Sequence, residues 1–277
     1  MSLMPPFRPR HAALCAHVHG RIGGNSDICP GVENQYAPQP SRGEAIGIRW
    51  GEDDMAKSPD VILVHGAWAD GSSWAKVIPL LAARGYSVTA VQLLLTSLRD
   101  DVATVKRAIA LASGPIILAG HSYGGAVISE AGNDPKVEAL VYIAAFAPDA
   151  GESAGSLGAS VEPAPLGAEV RPDAQGYLKL TQSGVRDSFA QDLTDTEKLV
   201  LYSAQSPTTG AALGGTVSVA AWRAKASRYL VATNDRAIPP ALQRTMAKRL
   251  NAAVVEVASS HVAMLSHPKE VASLIAG

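Results

Sequence analysis

The chain is predicted to fold as an α/β domain, a mostly parallel sheet with helices on both faces and a lid inserted between two strands. Three observations predict this. From residue 60 onward, apolar runs rich in Val, Ile and Leu recur, as in strands buried on both faces of a parallel sheet. Between them lie stretches with apolar residues every third or fourth position, the period of an amphipathic helix. The alternation breaks once, between Pro148 and Trp222, and then resumes, so parallel strands joined by crossover helices flank one long insertion.

The elements follow in order. Asp60 to His65 contains Val61-Ile62-Leu63-Val64 and is the first strand. Ser73 to Arg84 reads as a helix ended by Gly85, and Tyr86 to Leu93 as the second strand. Leu98, Val102, Val105, Ile109 and Ala112 form one face of a helix over Ser97 to Ala112. Pro115 to Ala119 is the third strand, Tyr123 to Ala131 a helix, and Val137 to Phe146 the fourth strand. The insertion, about residues 149-222, is rich in Gly, Ala and Pro, with one clear helical patch near Thr194 to Ser203. Strand Arg228 to Thr233, helix Pro240 to Leu250, strand Ala253 to Val257 and helix Pro268 to Ala276 complete the pattern. An insertion so placed covers the carboxyl edge of the sheet, where open α/β folds bind ligands.

Of the 277 residues, 47% are hydrophobic and 18% charged, enough apolar material for an ordinary globular core. Residues 56-277 are read as that domain. Residues 1-55 carry many Pro, Gly, Arg and His without helical or strand period and read as an irregular N-terminal extension. Within it, Ile46, Ile48 and Trp50 alternate, which fits a short edge strand over Glu44 to Trp50. Met55-Ala56-Lys57 reads as a natural start of translation, which makes the earlier residues dispensable. A formal charge of −1 gives no electrostatic footprint for nucleic acid or an anionic membrane. No apolar run approaches the roughly 20 residues that span a bilayer; the longest, Ala139 to Ala147, reads as a buried strand.

Both cysteines, Cys15 and Cys29, lie in the first thirty residues, so no disulfide can staple the remainder. A cytoplasmic, reducing location is expected. Arg8, Arg10 and His11 are followed by no continuous apolar segment, so no secretory signal peptide is predicted. Cys15, His17, His19 and Cys29 do not have the spacing of paired zinc motifs, and no metal is expected there.

Gly120-His121-Ser122-Tyr123-Gly124 lies between an apolar strand and a small-residue helix. A serine on such a tight strand-to-helix turn presents its hydroxyl at the sheet's edge, and the flanking glycines permit close packing of strand and helix. Ser122 is therefore the candidate nucleophile, and a serine needs a base to accept its proton. Of seven histidines, His11, His17 and His19 lie in the extension. His65 and His121 adjoin other motif residues, and His267 precedes Pro268 as a helix-entry residue. His261 remains, on the loop between the last strand and the last helix.

The base needs an acid to orient it. Asp235 follows Tyr229 to Asn234 and leaves room for one helix and one strand before His261; it also suits a turn or helix-capping role before Pro239-Pro240. Asp149, after the preceding strand, is the rival. Two N–H donors should await the developing oxyanion: Tyr123 N–H, directly after the serine, and Ala67 N–H in His65-Gly66-Ala67-Trp68. Trp68 and Trp74 either pack or meet substrate. In the lid, Leu157, Val161, Leu166, Tyr177, Leu178, Phe189 and Leu193 are candidate pocket residues, with Trp68, Tyr177, Leu178 and Phe189 put forward as substrate-binding. Aromatic residues are only 5% of the chain, so an aliphatic pocket for small to medium apolar groups is expected.

Val61 to Trp74, Gly120 to Gly125, Phe146 to Asp149, Ala232 to Pro239 and Ser260 to Pro268 together resemble the α/β-hydrolase superfamily. The resemblance is to its branch of plant methyl-ester esterases, hydroxynitrile lyases and related bacterial carboxylesterases, and runs from about residue 60 to the end. It implies the α/β-hydrolase fold, a lidded pocket, no cofactor, and Ser122, Asp235 and His261 as a triad acting on a small-molecule ester. The lyases of that branch carry a threonine in the first-strand loop and a lysine after the catalytic histidine. Here Ala67 and Val262 stand there, against cyanohydrin chemistry. Lactone or amide hydrolysis, and a receptor-like member with little turnover, stay open as alternatives.

Overall fold

The chain, seen in a computed structural model that describes residues 59–277, builds nine strands among those residues. They are β1 (Asp60–Val64), β2 (Ser87–Ala90), β3 (Ile116–His121), β4 (Val137–Ile143), then β5 (Val170–Pro172), β6 (Tyr177–Leu180) and β7 (Thr208–Thr209) inside the insertion, and finally β8 (Ala226–Ala232) and β9 (Ala253–Val257). Six of them form an all-parallel sheet in the order β2-β1-β3-β4-β8-β9. The expected strand over Glu44 to Trp50, the start at Met55 and the Cys15/His17/His19/Cys29 group lie outside the described residues.

The apolar runs pack on both sides as anticipated. Along β1, Ile62 and Val64 enter one core layer while Val61 and Leu63 enter the other, the period-2 alternation of a strand covered on two faces. The helices α1 (Ile78–Ala82), α2 (Leu98–Leu111), α3 (Gly124–Ala131), α4 (Ala154–Ala159), α5 (Asp195–Ala204), α6 (Gly210–Gly214), α7 (Pro240–Arg249) and α8 (Pro268–Ala276) complete the frame. From β1 the chain goes to β2 on one side and then to β3 on the other. The loops leaving β1 and β3 therefore part at a topological switch point, which opens a crevice at their carboxyl ends.

Three sequence expectations need correction. The helix over Ser73 to Arg84 is instead a 3₁₀ turn, Gly71–Trp74, followed by the short α1. Pro79 is the reason: lacking an N–H, it is tolerated in a first turn and not in a helix interior. The fourth strand stops at Ile143, not Phe146. Ala144 takes a φ of +43°, and the Tyr229 hydroxyl bonds both the N–H and the carbonyl of Ala145. In the insertion, α5 fits the helical patch, capped reciprocally by Thr194 and Glu197, but a three-stranded antiparallel sheet β5-β6-β7 was not expected.

The two ends of the insertion are drawn together. Asp149 pairs with Arg223, Trp222 Nε1 donates to Pro148 O at 2.9 Å, Gly151 N–H donates to Val217 O at 2.8 Å, and Val217 N–H donates to Glu152 O at 2.9 Å. Among the described residues, no helix is long and apolar enough to cross a membrane.

Helix α3 lies hard against β1, and this approach aims its first turn at the crevice. A Cβ on Gly124 would stand 2.5 Å from Val64 O and 2.7 Å from His65 O, both backbone atoms. Gly124→Ala is expected to lower stability by about 1–3 kcal/mol, the usual cost of forced overpacking. A chemical denaturation midpoint equal to that of the parent would contradict this account of the packing.

Candidate active site

Ser122 follows β3 directly and has a φ of +53°, a left-handed conformation that a residue with a side chain adopts only when its surroundings hold it there. Its backbone is tied on both sides: Ser122 N–H donates to Ile143 O, and Ser122 O accepts from Gly125 N at 3.0 Å and Phe146 N at 3.1 Å. The loop after β1 lies against the serine because residue 66 is glycine; a Cβ there would be 2.6 Å from Ser122 Cβ.

His261 stands on the loop after β9, and its Nδ1 is 2.7 Å from Asp235 Oδ2, with both side chains sealed from solvent. Because a carboxylate only accepts, the proton sits on Nδ1, which leaves Nε2 as the free lone pair. The other Asp235 oxygen accepts from Ala237 N at 2.7 Å and Ile238 N at 3.0 Å. Buried Gln243 on α7 donates to Oδ2 at 2.8 Å and is itself held by Ile238 O and Ala232 N–H. Asp149, the rival acid, is engaged with Arg223 at the base of the insertion, and the guanidinium holds its carboxyl below the usual range.

Among the described residues, no oxygen accepts from the N–H of Ala67 or of Tyr123. The amide carrying Ala67 N–H is oriented from behind. His65 Nε2 accepts from Leu93 N at 2.9 Å, and its Nδ1–H donates to Gly66 O at 2.8 Å, the carbonyl of that same amide. Tyr123 is anchored by its hydroxyl, which donates to Asp101 at 2.8 Å; fully buried Asp101 also accepts from Leu95 N. Burial raises the Asp101 carboxyl above its ordinary value. Neither Asp101 nor Gln243 was anticipated. Asp101 falls on the apolar face of α2, three residues from Leu98, and a charge in that position was the available signal.

A cavity of about 180 Å³ joins these parts: Ser122, Tyr123, Ala67 and His261 all line it. Trp68 and Leu166 line it as well, together with Phe146, Val170, Leu213 and Ile238. Tyr177 and Leu178 do not. Both belong to β6, the middle strand of the small sheet, and β6 meets the site through its backbone, Leu178 O accepting from Trp68 Nε1 at 2.9 Å. Phe189 also lies behind the wall, its ring 5.2 Å from that of His261 and edge-on to Trp68. Trp74 is wholly buried in the core. A larger groove of about 490 Å³ runs between α2 and α6 and touches none of the proposed catalytic residues. Among the described residues, no three His, Cys, Asp or Glu side chains gather as a metal site.

A model of the alpha/beta hydrolase family matches residues 61–274. A pyrethroid hydrolase of Sphingobium wenxiniae is 30% identical over 252 residues, which covers 78% of this chain and 86% of that protein. Methylesterase 7 of Arabidopsis thaliana is 35% identical over 113 residues, 35% of this chain and 43% of that one. The crystal structure of a pyrethroid hydrolase from Sphingobium faniae superposes with a TM-score of 0.69 at 28% identity, covering 79% of this chain and 96% of that chain.

The site's two supporting histidines carry a pH signature. Burial lowers both His65 and His121 below the ordinary 6.5, and His261 beside His121 adds to its lowering. The unfolded chain takes up these protons below pH 6.5 while the folded chain refuses them, so stability falls as pH drops through that region. The denaturation midpoint should decline from pH 6.5 toward about 5, by at most about 1.4 kcal/mol per pH unit for each histidine. In His121→Gln the slope should be clearly shallower; an unchanged slope would show that this ring does not carry the effect.

Proposed function

Given that the chain belongs to the alpha/beta hydrolase family, we propose that it is a serine esterase that cleaves small to medium apolar carboxylic esters through an acyl-enzyme. The observation that carries this reading is the buried His261–Asp235 contact of 2.7 Å on the same cavity as Ser122. His261 Nε2 takes the proton as Ser122 Oγ attacks the ester carbonyl. Asp235 keeps the imidazole in the right tautomer and stabilises the imidazolium that forms. The carbonyl oxygen, now an oxyanion, is met by the free N–H groups of Ala67 and Tyr123, which need no rearrangement to receive it. His261 then returns its proton to the leaving alcohol. A water, deprotonated by the same Nε2, releases the acid from Ser122.

The cavity supports the choice of substrate. Its walls are Trp68, Phe146, Leu166, Val170, Leu213 and Ile238, and no Lys, Arg, Asp or Glu side chain lines it. A charged acyl or alcohol group would lose its hydration there without a partner, whereas an apolar one gains by burial. Two relatives carry esterase names, methylesterase 7 of Arabidopsis thaliana and a carbendazim hydrolyzing esterase of Nocardioides, which favours esters over amides or lactones.

A fluorophosphonate probe should label the protein once, and a p-nitrophenyl ester panel of rising chain length should be turned over with a preference for short to medium acyl groups. Ser122→Ala should lose the label and about 10⁴- to 10⁶-fold in turnover; purified variant that still hydrolyses esters would end the serine mechanism.

Asparagine at 235 keeps the shape but cannot hold Nδ1–H in place. Asp235→Asn should therefore reduce kcat by roughly 10³- to 10⁴-fold, while Asp149→Asn changes it modestly. A severe loss confined to Asp149→Asn would transfer the acid's role to the insertion's base.

A further inference from the structure

We propose that Thr208, a residue of the insertion, is a positioning residue for the oxyanion hole, so that the lid's small sheet is a working part of the catalytic loop. The proposal rests on the reading of Ala67 N–H as an oxyanion donor. Ala67 sits between two peptide planes. The plane that carries its own N–H is oriented from the core, by His65 Nδ1–H donating to Gly66 O. The plane on its other side carries Trp68 N–H, and that N–H donates to Thr208 Oγ1 at 3.2 Å. Thr208 is completely buried.

The second anchor is needed because Trp68 is strained. Its φ is +57°, in the left-handed region that non-glycine residues avoid. Surroundings must hold such a residue there, and strain of this kind gathers at functional sites. Two bonds do so here, Trp68 N–H to Thr208 Oγ1 and indole Nε1 to Leu178 O. Leu178 and Thr208 are directly paired residues of β6 and β7, so both acceptors form one docking patch. The patch is itself braced against the loop after β2, where Thr209 N–H donates to Leu95 O at 3.0 Å and Thr209 Oγ1 to Thr96 O at 2.7 Å. Without the Thr208 hydroxyl, Trp68 N–H loses the acceptor that holds it, and the residue can relax toward an ordinary conformation. That rotation turns the peptide next to Ala67 and swings its donor off the position where the oxyanion develops.

Such a role acts on the transition state alone, and this sets the test. Thr208→Val keeps the side chain's shape and strips its oxygen. Its kcat for a p-nitrophenyl ester should fall about 10- to 100-fold with KM within about twofold, because a donor misplaced by about an ångström loses interactions made only as charge develops. Affinity for a trifluoromethyl ketone, which forms the oxyanion reversibly on the serine, should weaken by the same factor. Thr208→Ser returns the hydroxyl and should recover most of the lost kcat. Circular dichroism establishes that each variant is folded. Should the valine not be accommodated, Thr208→Ala, which only removes atoms, must give the same selective fall in kcat and inhibitor affinity.

A folded Thr208→Val or Thr208→Ala with parental kcat and inhibitor affinity overturns the proposal. So does a rise in KM at unchanged kcat, which would make Thr208 a support of the substrate wall. Ser122→Ala measured beside them separates the two readings: turnover surviving there removes the serine mechanism itself. An inactive Ser122→Ala beside an unaffected Thr208 variant removes only the role of the lid.

Discussion

A carboxylate shut away from water, as that of Asp235 is, persists in a folded protein only when donors meet its oxygens, since an unpaired buried charge costs several kcal/mol. Four donors do so: the N–H groups of Ala237 and Ile238 on one oxygen, Gln243 and His261 on the other. They come from three places in the fold. The two backbone groups belong to the turn leaving β8, Gln243 to α7 packed behind it, and His261 to the loop leaving β9. Satisfying one charge thus fixes where two sheet loops and a helix stand relative to one another. The imidazole is oriented as a by-product of closing that account of hydrogen bonds. Gln243 is the less obvious member, because its amide also holds Ala232 N–H and Ile238 O and so ties the end of the strand to the turn that follows it.

The insertion is bound to the same loops rather than merely laid over them. Gln191 Nε2 donates to Asn234 O, next to Asp235, and Asp192 accepts from Ser260 N–H, next to His261. Leu166 N–H donates to Arg236 O, whose side chain reaches back to Asp187 O. With the latch between residues 148–152 and 217–223 at its base, the segment is held at several points that all bear on Ser122's surroundings. Leu166, Val170 and Leu213, which line the cavity, belong to this segment.

The parallel sheet and the elbow were legible in the sequence because both are written in short-range terms. Val61 to Val64 is an apolar run of the kind buried on both faces of a parallel sheet, and Gly120 to Gly124 reads as a tight strand-to-helix turn. The two readings of Asp235, as turn former and as neighbour of His261, describe the two oxygens of one carboxylate: Oδ1 meets the turn, Oδ2 meets His261. What stayed hidden depends on neighbours distant in sequence. Strands of two to four residues such as β5, β6 and β7 are too short to show a period, so Tyr177 and Leu178 looked like free lid residues and are instead part of a sheet. Gln243 is an ordinary polar residue of a helix until α7 is laid beside β8. Pro79 was a legible signal that the apolar pattern around it masked.

Backbone strain in this molecule has a distinct location. Among the described residues, five that are not glycine have a positive φ: Trp68, Leu95, Ser122, Ala144 and Asn251. The first four come just after β1, β2, β3 and β4 in turn, along the carboxyl edge of the sheet. Each costs on the order of 1 kcal/mol or more, so an edge carrying four of them is stable only if contacts elsewhere over-determine it. The contacts that do so are Thr208 and Leu178 on Trp68, Asp101 on Leu95, Ile143, Gly125 and Phe146 on Ser122, and Leu230 O, which accepts from Ala144 N–H at 2.9 Å. Asp101 shows the economy of the arrangement, for the same buried carboxylate that holds Leu95 also receives the hydroxyl of Tyr123. Each of these four strained residues has an acceptor for its own N–H: Thr208 Oγ1, Asp101, Ile143 O and Leu230 O in turn. The stability held in the two core layers is what sustains this strained edge.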